Sequence, residues 1–203
     1  MFFDDPRKHG LRHNPFKALV APRPIAWVSS VDIEGVANLA PFSYFNACAD
    51  KPPTIMFAPN NPRPNGENKD TLRNIEQTNE FVVNLAGFDL REAMNRTSAH
   101  VDPSVDEFEL AGLTPVPSVH VKAPRVAEAP VSLECRFLTR LRLPSDHPRV
   151  ENNLVIGTVV GTHIADGIIR DGMIDMAAYR PVARLGYMDY TSVESVFEML
   201  RPD

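Results

Sequence analysis

The chain has few cysteines: Cys48 and Cys135 alone in 203 residues, far apart and in no Cys-x-x-Cys pair. Nothing argues for a disulfide or a redox pair, and both read as reduced thiols acting as small hydrophobes. No apolar run approaches the ~18 residues that a membrane span needs. Lys and Arg form no block long enough to track a nucleic-acid backbone, and the net charge is −5. Neither a membrane nor a nucleic acid is an expected partner. Residues 1–7 lack the basic start and apolar core of a signal peptide, so the expected location is cytoplasmic. Glycine is modest at 10, and no repeat or low-complexity linker appears.

Hydrophobic residues make up 43% and charged residues 23%, ordinary for a globular protein. The length fits one domain over 1–203, with a core large enough to need no metal or disulfide. Proline is high at 19 and falls in clusters, which mark connections between short elements.

Residues 25–31 read as a strand buried on both sides. Ile25, Trp27, Ser29 and Val31 share one face, and Ala26, Val28 and Ser30 share the other. Residues 38–49 read as a second strand, made irregular by Pro41. A short strand is expected over 54–58, a polar loop over 59–68 and a helix over 69–78, capped by Asp70 or Asn68. Residues 81–86 form a strand, and Asp89 caps a helix to about Thr97. Residues 131–143 alternate cleanly, with Glu134 and its neighbours on a wet face. In residues 153–164, Gly157, Gly161 and His163 share a face where two missing side chains leave space. A last strand is expected over 183–188 and a helix over 193–200. Seven mostly sequential strands favour an antiparallel barrel with helical insertions over a doubly wound sheet. The Gly-x-Gly-x-x-Gly fingerprint of a dinucleotide fold is missing.

Two constellations carry chemistry. Small and hydroxylated residues end the first two strands, where a ligand can approach the backbone. Lys69-Asp70-Thr71 opens a helix whose free N–H groups suit a phosphate, although an ordinary cap looks the same. The histidines make no metal-ligand spacing, and no Ser-His-Asp or Cys-His order stands out.

Six segments occur in order: Arg-Pro-Ile-Ala-Trp-Val-Ser-Ser, Asn-Leu-Ala-Pro-Phe-Ser-Tyr-Phe-Asn, Lys-Asp-Thr-Leu-Arg-Asn-Ile, Phe-Val-Val-Asn-Leu, Leu-Val-Ile-Gly-x-Val-Val-Gly-x-His and Arg-Pro-x-Ala-Arg-Leu-Gly. Over about residues 20–187 the chain resembles the flavin reductase-like family with the FMN-binding split β-barrel. The resemblance implies a mainly β fold, a six-stranded Greek-key antiparallel barrel that dimerises. It frames the chain as an N-terminal arm (about 1–19), this core and the C-terminal helix. It also implies FMN, or FAD, reduced by NAD(P)H, with electrons passed to free flavin, a monooxygenase partner or another acceptor. Carried onto this chain, Ser29 and Ser30 lie beside the flavin. Ala40, Pro41, Ser43, Asn46 and Ala47 line its ring. Lys69, Asp70 and Thr71 hold the phosphate. His163 stands on the nicotinamide side as the catalytic candidate, with Arg184 near the site. The family often has Glu at Thr158 and Gly at Tyr187. A flavin-binding electron carrier that does not use NAD(P)H, and a non-enzymatic flavin-binding module, are the alternatives.

Overall fold

The computed structural model describes residues 1–5, 8–60, 69–102, 105–146 and 150–202. Its main elements are β1 (Ala26–Val31), β2 (Ala37–Phe42), β3 (Phe45–Asp50), β4 (Pro53–Phe57), α1 (Asp70–Thr78), β5 (Glu80–Leu85), α2 (Arg91–Arg96), α3 (Glu107–Ala111), β6 (Val131–Leu143) and β7 (Asn152–Ile164). The seven strands form one antiparallel sheet in the order β2-β1-β5-β6-β7-β4-β3.

The two edges of that sheet, β2 and β3, are consecutive in sequence and separated only by Ser43 and Tyr44. Residues 38–49 are therefore one strand bent beside Pro41. Its first half pairs with β1 and its second with β4. Counted as one strand, the pair makes the barrel six-stranded and removes both open edges.

Strand β1 is buried along its whole length because each face packs on a different cluster. Ala26 and Val28 join Phe42, Phe57, Phe81, Val83 and Cys135 inside the barrel. Ile25 and Trp27 join Leu39, Met94, Phe108 and Val182 on the outside, under α2 and α3. The Trp27 indole N–H donates to Thr97 Oγ1 at 2.9 Å, at the end of α2. Phe57 and Phe81 meet edge to face with centroids 5.5 Å apart.

Several expectations are corrected. Helix α1 starts after Lys69 with no side-chain cap, and Asn68 lies outside the described residues. Asp89 caps nothing: a 3-10 turn over Phe88–Leu90 leads directly into α2. The segment 99–117 contains α3, capped by Asp106, whose side chain accepts from Phe108 N, and closed by Gly112 at φ 68°. The wet face of β6 is dry at its start. Ser132 is 2% and Glu134 0% exposed, because residues 117–126 cover them.

The space beside Gly157 and Gly161 is filled by protein. A Cβ on Gly157 meets the Phe81 ring at 2.6 Å, and one on Gly161 meets His120 at 3.1 Å. A register shift between Val159 and Gly161 resets the alternation and turns the two glycines to different surroundings.

The last expected strand is shorter, β8 (Val182–Arg184), and pairs with β9 (Tyr190–Ser192) and with Arg23–Pro24. Residues 193–200 form no helix. Phe197 and Leu200 are exposed there, and so short a helix with no surface to pack on is unstable. Tyr187, where the family often has Gly, has φ 54°, in the left-handed region that favours glycine.

Candidate active site

The first turn of α1 meets the inner half of β2 in a cleft of 460 Å³. Asn38, Ala40 and Pro41 supply one wall. Lys69, Asp70 and Thr71 supply the second, and residues 97–102 with Glu107 supply the third. At the start of α1 the first backbone N–H groups have no intrahelical acceptor.

Lys69 brings the cation. Its ammonium lies 5.2 Å from the Phe42 ring centroid, and burial lowers its pKa from the ordinary lysine value. A partly desolvated ammonium binds an anion more strongly than one in water. The carboxylates around it are already engaged. Asp70 pairs with Arg73 at 2.5 Å. Glu107 accepts from Leu39 N at 3.0 Å. Burial, opposed by that bond, raises the Glu107 pKa. A flavin phosphate fits this donor set: one cation, a helix N-terminus and an unpartnered side-chain donor on Asn38.

The other nominated residues fall at different distances from the cleft in the fold. Ala40 and Pro41 line it, half-buried. Ser43 is half-buried at the bend, while Asn46 and Ala47 are exposed on β3 beyond it, with Asn46 Oδ1 accepting from Ala47 N at 2.9 Å. Those three continue the same strand without lining the cleft. Ser29 and Ser30 are fully buried. Ser29 Oγ donates to Pro124 O and accepts from Asn84 Nδ2, and Ser30 Oγ accepts from Asn74 Nδ2 at 3.2 Å. Their hydroxyls thus bind protein, tying β1 to α1 and to residues 117–126.

His163 is not in the cleft. Its Nε2 lies 2.5 Å from Glu134 Oε1, and Glu134 also accepts from Val119 N and His120 N. Burial pushes the Glu134 pKa up, but the Val119 bond, His163 and the His120 bond together bring it down to about 2. Arg184 is elsewhere again, in a cleft of 1020 Å³ between β8, β9 and α2. It binds the Tyr190 hydroxyl and the Tyr187 carbonyl, and its guanidinium stacks 4.3 Å from the Tyr190 ring centroid.

Sequence reasoning missed Asn38, residues 97–102 and Glu107. The signal for the last was present in Asp106 and Gly112, which cap and close α3. Among the described residues no group of three ligating side chains is placed to hold a metal, and no helix is long and apolar enough to cross a membrane. Cys48 is exposed and Cys135 buried, and both are free thiols.

The model of the flavin reductase like domain matches residues 19–183. An uncharacterized protein of Aquifex aeolicus is 40% identical over 169 residues, covering 83% of each chain. The crystal structure of nitrilotriacetate monooxygenase component B from Bacillus cereus is 36% identical. It superposes with a TM-score of 0.87 over 98% of both chains. The 2-nitrobenzoate 2-nitroreductase of Pseudomonas fluorescens is 28% identical, with a TM-score of 0.79 over 92% of this chain and 88% of that one. A Shewanella frigidimarina protein described as having a split barrel domain shares the fold, with a TM-score of 0.83 at 24% identity. By its matched domain, its relatives and its barrel closed through one bent strand, the chain belongs to the flavin reductase-like family of split β-barrels.

Proposed function

We propose that this chain is an NAD(P)H-dependent flavin reductase of the cytoplasm. It works as a homodimer on FMN, with FAD as the alternative flavin, and passes electrons to free flavin, a monooxygenase or another acceptor. The carrying observation is the Lys69 cleft, where a desolvated cation and a helix N-terminus face the small residues of β2. Bound flavin would supply the redox chemistry, as hydride acceptor and electron donor. The chain's part is to bind and orient. Lys69 and the first N–H groups of α1 hold the phosphate. Ala40 and Pro41 leave the backbone of β2 open to a ring, and Ser43, Asn46 and Ala47 extend that surface along the bent strand. Strand β3 leaves residues 46–50 exposed on both faces, a surface that a second copy of the chain covers. A monooxygenase as acceptor rests on the similarity to nitrilotriacetate monooxygenase component B.

One observation favours the carrier reading: His163, the nicotinamide-side candidate, is already bound by a buried carboxylate. Anaerobic mixing of FMN-loaded protein with NADH and with NADPH separates the two. A reductase bleaches the visible flavin band with at least one of them. A carrier leaves it unchanged with both.

A further inference from the structure

Asn38 is 8% exposed, and its carboxamide is only half satisfied. Its Oδ1 accepts from Thr71 Oγ1 at 3.5 Å, while its Nδ2 has no partner. A buried donor without an acceptor is costly and uncommon. Asn38 lines the cleft together with Lys69, Asp70 and Thr71.

The surroundings say what kind of acceptor is absent. The carboxylates that line the cleft already have partners, Asp70 in Arg73, Glu107 in Leu39 N, and Asp102 as well. What remains is a half-buried lysine and the N-terminus of a nine-residue helix, and both favour an oxyanion. Thr71 is 1% exposed, and its hydroxyl donates to Asn38 Oδ1. The helix therefore engages one end of the amide: Thr71 holds Oδ1, which leaves Nδ2 as its open donor.

We propose that Asn38 is a ligand-contacting residue whose Nδ2 donates to a phosphoryl oxygen of a phosphomonoester, with Thr71 as its positioning residue through the side chain. This deepens the flavin reading of the same cleft and rests on it. The amide adds what Lys69 lacks, a directional donor that separates a phosphorylated flavin from its dephosphorylated form.

The test uses the full-length protein with FMN, riboflavin and inorganic phosphate as probes. In ¹⁵N-labelled wild-type protein, FMN shifts the Asn38 side-chain NH₂ resonances, inorganic phosphate shifts them the same way at higher concentration, and riboflavin does not. Asn38→Asp replaces the donor with a charged acceptor. It weakens FMN about 10–100-fold, while riboflavin stays within about twofold. Thr71→Val weakens FMN about 3–10-fold, and Thr71→Ser restores it. If FMN binds wild-type protein but the Asn38 resonances stay still, or FMN and riboflavin weaken alike in Asn38→Asp, the Asn38 assignment is wrong and the flavin reading stands. If wild-type protein binds neither flavin, both fall. Should Asn38→Asp fail to fold, the wild-type resonances decide alone.

Discussion

Glu134 Oε1 and His163 Nε2 stand 2.5 Å apart across the β6–β7 ladder, with the carboxylate fully buried and the imidazole partly exposed. The other contacts of Glu134 are backbone N–H groups of Val119 and His120. The pair thus anchors residues 117–126 over β6, in a place where the sequence pattern expects a solvated face. We predict that His163→Ala lowers stability by about 1–3 kcal/mol by leaving a buried carboxylate short of one donor. FMN affinity should stay within about twofold. Thermal melts and flavin titrations of the variant check both halves, and a large loss of FMN affinity with an unchanged melt contradicts the structural role.

The same pair sets an acid limit. The Glu134 pKa is held at about 2, below that of the unfolded chain, so the unfolded state binds the proton first as pH falls. The stabilisation is complete above the ordinary glutamate value and is lost as pH drops from about 4.5 toward 2. Urea unfolding across that window should show stability falling more steeply in wild-type protein than in Glu134→Gln. Equal slopes would mean that another carboxylate controls acid unfolding.

Asn84, on β5, is the hub between β1 and β6. Its Nδ2 donates to Trp27 O and Ser29 Oγ, and its Oδ1 accepts from Val126 N and Ser132 Oγ. Asn84→Ala leaves several buried groups unpaired, and we predict a cost of about 2–4 kcal/mol from chemical denaturation. A loss under about 1 kcal/mol would show that water replaces the amide.

Gly157→Ala places a methyl 2.6 Å from the Phe81 ring inside the barrel. Overpacking of that kind typically costs about 1–3 kcal/mol. Phe81→Leu in the same chain should recover part of it, and a double-mutant cycle reads the coupling.

Much of this was legible in the chain. The two faces of β1 could be read from Trp27 and Val28, because each side chain packs on residues of its own kind. The run from Asn38 to Ala49 is one strand by hydrophobic pattern, and the bend after Pro41 is the only thing that splits it. The parity of β7 was not legible, because the shift before Gly161 depends on its pairing with Glu134. The dryness of Glu134 was not legible either, since the cover comes from Val119 and His120, distant in sequence. Lys69 and Thr71 announced the helix start. The bond from Thr71 to Asn38 needed the fold, because β2 and α1 are far apart in sequence and come together only on folding.

The placement of a flavin phosphate at Lys69 is tested most directly by titrating FMN and riboflavin into wild-type protein and into Lys69→Met at low and moderate salt. Loss of one charge-assisted contact should weaken FMN about 10–100-fold and leave riboflavin nearly unchanged, with the FMN preference of wild-type protein shrinking as salt rises. Equal affinity of wild-type protein for the two flavins, or an unchanged FMN affinity in Lys69→Met, would contradict a phosphate site in this cleft.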